Sequence, residues 1–305
     1  MAACGGDAPA TVAIPHVFDL AHDPTAGIQQ VSADRGEVMG ADALRNTLES
    51  ALTWHGITLV ETMRAIESGS PDADAWIAAL AHNTDDIVAA IGQIYGPVGA
   101  NAFYQQWAQH TQFLADYAQA VGAGDDDALA QARTKLQAYT SDSGHFFETA
   151  TAGGLAADVV TELLNTHVGH MQAMIDAIGG GDTATGLASA LDDNSYLSTI
   201  AQGLSTAIAA QDPTAFPGEI DGPVGAFCSL VTRETGDYLL RQLFSPNPVT
   251  TGDDQFANRV GAPLNDVLGP LDGLAAPDAA TRVSTAGQAI QAAMDVGRAG
   301  ATTPA

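Results

Sequence analysis

The chain predicts an all-α protein, an antiparallel bundle of repeated helical hairpins, and three observations carry that prediction. Alanine, leucine and acidic residues dominate and no period-2 segment of note occurs, so the hydrophobic periodicity is helical. Glycine turns recur at Gly69, Gly124 and Gly181, each followed by Ser or Asp. Three histidines, His55, His110 and His167, hold one position of what reads as the same hairpin written three times. They are spaced 55 and 57 residues apart, a period within the range of two-helix repeat units.

Residues 1–15 read as a lipobox-like start and a flexible tether. Met1-Ala2-Ala3-Cys4-Gly5-Gly6 resembles the end of a bacterial lipobox, in which small residues precede a cysteine that is lipidated after signal cleavage. Met1 would then replace the removed signal, and the Gly/Ala/Asp/Pro stretch after Cys4 has no means of packing. A chance Ala-Ala-Cys in an alanine-rich chain is the competing explanation. Residues 16–41 are irregular, with Pro24 and Gly27 as breakers.

From Asp42 the pattern becomes regular, and residues 42–212 are expected to form three hairpins. The first helix runs to about Ser68, with Leu44, Leu48, Leu52, His55, Leu59, Met63 and Ile66 on one apolar stripe. Gly69 suits its C-terminal cap, and Ser70-Pro71-Asp72 starts a return helix through Trp76, Leu80, Ile87 and Ile91 that ends near Gly96-Pro97. The second hairpin carries Phe103, Trp107, His110, Leu114 and Tyr117, turns at Gly124-Asp125, and returns through Leu129, Leu136, Tyr139 and Phe146. The third carries Val160, Leu164, His167, Met171 and Met174, turns at Gly181-Asp182, and returns through Leu187, Leu191, Leu197 and Ile200. In each turn a glycine closes one helix and Ser or Asp supplies an acceptor for the next.

Residues 213–299 are expected to hold further helices near 223–244, 253–269 and 278–298, a degenerate fourth hairpin, followed by a frayed tail at 300–305. Gly222-Pro223-Val224-Gly225-Ala226-Phe227 echoes the lead-in to the second hairpin, and matching Phe227 to Phe103 puts Glu234 where His110 falls.

Composition excludes several function classes. With 36 acidic and 10 basic residues the formal net charge is −26, so a phosphate backbone would be repelled and nucleic acid is not an expected partner. The acidity suits cation capture, a saline habitat or plain solubility. Two cysteines cannot make a disulfide scaffold. No apolar run is long enough to span a bilayer, so any membrane link is a lipid anchor. Phosphate-binding loops, nucleophile elbows, a Cys-x-x-Cys-His haem motif and paired Glu-x-x-His motifs are all missing. No catalytic constellation stands out.

What remains is the imidazoles. A histidine on an apolar stripe is buried, and both ring nitrogens then need partners. Equivalent positions of packed repeats can face a common axis, and three neutral imidazoles with a carboxylate satisfy copper, zinc or iron. Glu234 or His170 would complete the shell. A rival account is one ancestral core histidine copied three times with no shared site. Met171 and Met174 near His170 would suit copper but more commonly fill core gaps. His82, beside Asn83, Asp85 and Asp86, is expected at the surface, and His145 at the core or its rim. His16 and His22 fall in the irregular segment. Asp125 to Asp127 and Asp192-Asp193 are read as capping and solvating groups.

A first-helix histidine (His55), Tyr95-Gly96, a Trp-x-x-His (Trp107 to His110) and a Leu-x-x-His (Leu164 to His167) together resemble a family of secreted or lipid-anchored bacterial helical proteins. The resemblance spans about Leu44 to Pro213 and implies an extracytoplasmic helical bundle, without implying an activity. The expected function is thus an extracytoplasmic lipoprotein holding a transition metal ion (copper, zinc or iron) through His55, His110 and His167. Two alternatives fit the same residues: a non-catalytic surface scaffold with structural histidines, and a binder of haem or a small apolar ligand.

Overall fold

The alanine-rich segments of helical period do form helices. The computed structural model describes residues 39–244, in which six helices follow one another: α1 (Ala41–Ser68), α2 (Ala73–Ala123), α3 (Asp126–Ala150), α4 (Ala157–Gly179), α5 (Thr183–Gln211) and α6 (Pro223–Leu243). The described residues contain no strand, and the architecture is an all-α helical bundle. The expected lipidation at Cys4, the tether, His16, His22 and the two last expected helices lie outside the described residues. No helix among the described residues is long and apolar enough to cross a membrane.

Three turns close three helices in the same way. Gly69, Gly124 and Gly181 have φ of 63°, 65° and 80°, a left-handed conformation that costs glycine least. Each donates its N–H to the carbonyl three residues back, and the next residue donates to Ala65, Ala120 or Ala177. This paired closure satisfies carbonyls that the helix end would otherwise orphan. Asp125 and Asp182 then cap α3 and α5 as expected, accepting from the N–H groups of Ala128 at 3.0 Å and Thr185 at 3.1 Å. Ser70 departs from that pattern. It accepts from Asp72 N–H at 3.3 Å, ahead of α2, whose N-cap Asp72 makes no side-chain cap.

The expected helix end at Gly96-Pro97 is a kink inside α2 with no loop. Gly96 takes φ 74° and ψ −179°, and the helix resumes at once. Proline disfavours helical geometry in the residue before it but is well suited to a first helical position. His110 therefore sits on the second limb of α2.

The buried face of α5 is rotated from the expected one. Ala190, Asp193, Asn194, Leu197 and Ala201 are buried, while Leu187, Leu191 and Ile200 are only partly so. Small and polar residues occupy the centre of the contact, with the leucines flanking it. At the α3–α4 crossing Gly144 plays a comparable part: a Cβ there would lie 2.4 Å from the Ala157 carbonyl oxygen.

Two apolar clusters dominate the core. One gathers Leu59, Met63, Leu80, Leu114, Tyr117, Met171 and Met174 near the glycine turns, so the two methionines do fill the core. The other gathers Leu44, Leu48, Leu52, Ile91, Phe103, Trp107, Leu197 and Ile208. His55 stands between Leu52 and Leu59 on α1, and His110 stands between Trp107 and Leu114 on α2. The histidines are thus a polar layer between two apolar halves. The helix α6 docks through a second polar group: Arg45 and Glu49 on α1, both buried, pair at 3.5 Å. Glu49 Oε1 also accepts from Ser229 at 2.6 Å and Ser198 at 2.5 Å, and Arg45 binds Asp221 just before α6.

Candidate metal centre

His55, His110 and His167 converge. All three are buried, and one ring nitrogen from each lies within 4.8 Å of the others. The ring centroids are 5.2 Å apart for His55 and His110, 6.3 Å for His55 and His167, and 6.2 Å for His110 and His167. The closest approach is between Nε2 of His55 and Nε2 of His110, at 3.2 Å. Aromatic rings wall the group: Trp107 packs against His55 at 4.6 Å and edge-on to His110 at 4.7 Å, and Tyr139 stacks on His110 at 5.2 Å.

The outer partners fix which nitrogen each ring offers. His110 Nδ1 donates to the Trp107 carbonyl one turn earlier, so its Nε2 carries a lone pair. His167 Nδ1 pairs with Asp193 Oδ1 at 2.8 Å, which leaves its Nε2 free. His55 is less settled. Its Nδ1 and the Asn83 carbonyl oxygen Oδ1 are both buried without a hydrogen-bond partner, although Asn83 sits close enough to favour the charged ring. Asn83 is held by its own amide, which donates to the Ala51 carbonyl at 3.1 Å. If His55 Nε2 donates to His110, then His55 Nδ1 and Asn83 Oδ1 stay orphaned. If instead His55 Nδ1 donates towards Asn83, two lone pairs face each other at the centre, and a cation there satisfies both.

Burial decides the charge state. It pushes His55 well below the ordinary imidazole range, helped by repulsion from His110 and His167. Burial likewise takes His110 down to about 3, with His167 adding to the effect. Both rings are neutral at pH 7, as metal ligation requires. Burial alone would raise the Asp193 carboxyl, but the attraction and hydrogen bonds of His167 and His170 outweigh it and hold it below its usual value.

The remaining expected ligands are placed differently. His170 lies one turn beyond His167, with 29% of its side chain exposed, and its Nδ1 stands 3.6 Å from Asp193 Oδ1. The carboxylate raises the His170 pKa. His170 therefore flanks the outer partner and is not one of the converging rings. Glu234, on α6, is also absent from the group; it is partly exposed and lies 3.5 Å from Arg233. His82 and His145 are exposed.

Asp193 corrects the sequence reading. Asp192 is exposed and solvating as expected, whereas Asp193 is buried against His167. The signal was present, since a helical period through Ala190, Asp193, Leu197 and Ala201 puts a carboxylate on a stripe. Asn83 went unnoticed in the same way, on the stripe of Leu80 and Ile87.

A tetrahedral metal with ligand bonds of about 2.0–2.1 Å needs nitrogens roughly 3.3 Å apart. The 3.2 Å between His55 and His110 already fits. The widest pair, at no more than 4.8 Å, would have to close by roughly 1.5 Å to reach the same spacing. No family model, curated protein or solved structure matches the chain.

Proposed function

We propose that the protein binds a transition metal ion, copper, zinc or iron, through the Nε2 atoms of His55, His110 and His167. The observation that carries this reading is the convergence of three buried imidazoles, with ring nitrogens within 4.8 Å of one another, two of which have Nδ1 engaged by a carbonyl and a buried carboxylate. A ligating histidine commonly donates its second nitrogen in this manner, which sets the tautomer and raises ligand basicity. Imidazole suits all three metals, and a three-nitrogen set leaves a position for water or another ligand. The net charge of −26 concentrates cations near the surface. In the same reading the protein is extracytoplasmic and held to a bacterial membrane by lipid on Cys4.

Elemental analysis of protein purified without a histidine tag, beside the triple variant His55→Ala, His110→Ala, His167→Ala, tests the metal. We expect metal in the parent and none in the variant, with circular dichroism showing that the variant is helical. Equal metal in both would end the proposal. Incorporation of labelled fatty acid by the protein in its bacterial host, lost in Cys4→Ala, tests the anchor.

One observation favours a second reading. The 3.2 Å contact of His55 with His110 is also an ordinary imidazole hydrogen bond, and a polar layer between two apolar halves can serve to set helix register. Histidine substitution would then lower stability with no metal involved.

A further inference from the structure

The residues three and seven places before each histidine do more than fill the core. Leu48 and Leu52 on α1, Phe103 and Trp107 on α2, and Val160 and Leu164 on α4 line one apolar cleft, open to solvent at its mouth, with about 50 Å³ of space inside it. Every lining side chain is hydrophobic or aromatic, and none is charged. Water there finds too few partners to be held, and ions are excluded by the cost of desolvation.

A second apolar space continues the first, sharing Ile91, Phe103, Phe147 and Leu204 with it and reaching Tyr95. Trp107 forms the end nearest the histidines: it stacks on Phe103 at 5.1 Å and touches the rings of His55 and His110. An occupant of the cleft therefore rests on the indole that walls the imidazole group.

We infer that this cleft binds a small, neutral, apolar molecule. Neutrality follows from the absence of any lining charge, and smallness from the little space inside. Burying such a molecule gains about 25 cal/mol per Å² of apolar surface taken from water. The inference does not depend on metal binding, because the lining contains none of the three histidines.

The test uses the full chain with a chelator present throughout, so that the metal proposal cannot affect the outcome. Toluene and n-heptane are titrated into a Trp54→Phe, Trp76→Phe background, where Trp107 is the sole indole, and its fluorescence and the thermal midpoint are followed. We expect saturable binding that shifts both signals. Leu204→Phe, a plug at a partly buried position shared by the two spaces that adds no second indole, should weaken binding at least tenfold. Val98→Phe, at an exposed position outside the cleft, should leave it unchanged. No saturable response up to the solubility limit, or equal binding in Leu204→Phe whose helicity is intact, would overturn the inference. Heptanoate binding as tightly as n-heptane would overturn the neutral class of ligand.

Discussion

Asp193 is the residue on which the candidate centre leans most. It is buried and accepts from His167 Nδ1, with His170 Nδ1 3.6 Å from the same carboxylate oxygen. Replacing it with Asn keeps the shape and removes the charge that orients the ring and strengthens it as a donor. Asp193→Asn should weaken metal affinity by about 10–100-fold, the usual effect of losing an outer partner of this type. A competition titration against a chromophoric chelator measures this, and an unchanged affinity would show that His167 is held by something else. Acid acts at the same scale. His55 and His110 are held below the ordinary imidazole range by burial, so below about pH 6.5 the unfolded chain takes up protons that the native state refuses. Stability of the metal-free protein therefore falls as pH drops through that window, by up to about 1.4 kcal/mol per pH unit for each ring. His170 works in the opposite sense, since its pKa is raised: its contribution is full below about pH 6.5 and fades as pH climbs through its native value. Burial also raises the Glu61, Glu67 and Asp237 carboxyls, which act in the same sense as His170; the two fully buried rings outweigh these less deeply buried groups, and the net effect is a loss on acidification. Urea midpoints at pH 7 and pH 5 in chelator would reveal it, and a midpoint that held steady or rose would contradict the assignment.

At the scale of elements, two contacts between helices depend on small or polar residues. Gly144 lets α3 approach α4 so closely that an added Cβ meets both the Ala157 carbonyl and the Thr161 hydroxyl oxygen. Backbone cannot yield as a flexible side chain can. Gly144→Ala is expected to cost about 1–3 kcal/mol, and chemical denaturation would show the loss; a neutral or stabilising effect would mean that the two helices separate cheaply. The Arg45–Glu49 pair holds α6 by a different means. Arg45→Met leaves Glu49 buried with only the Ser198 and Ser229 hydroxyls, and losing one partner of a buried pair costs about 3 kcal/mol or more. Adding Glu49→Leu to Arg45→Met should return much of that loss, because the stranded charge is gone. A double variant no more stable than the single one would place the cost elsewhere.

For the whole molecule, a ligand that binds only the folded state raises its stability. Metal at about 100 times its dissociation constant should add about 2.7 kcal/mol, seen as a rise in thermal midpoint that a chelator reverses. The triple histidine variant should show no such rise. Much of the architecture was legible along the chain. The positions of Gly69, Gly124 and Gly181 and the run of apolar residues before each are local matters of backbone freedom and 3.6-residue period. They marked the helix ends and placed His55, His110 and His167 inside. The face of α5 was harder to see, because a stripe of alanine with Asp193 and Asn194 carries a weak hydropathy signal even where it lies at the centre of a contact. Glu234 was assigned from an echo of one lead-in sequence, which fixes a place along a helix but not the direction from which α6 meets the others.

Sequence by itself therefore determined that the protein is helical, where its turns fall and that three imidazoles are taken out of water, since each of these follows from interactions within a few residues. Tertiary structure alone decided that the rings meet, that Asp193 and Asn83 stand behind them, and that the residues one and two turns earlier leave a cleft. Those outcomes depend on how far apart the helix axes lie and how each helix is rotated. Both are set by side-chain packing between segments distant in the chain, where no local pattern reaches.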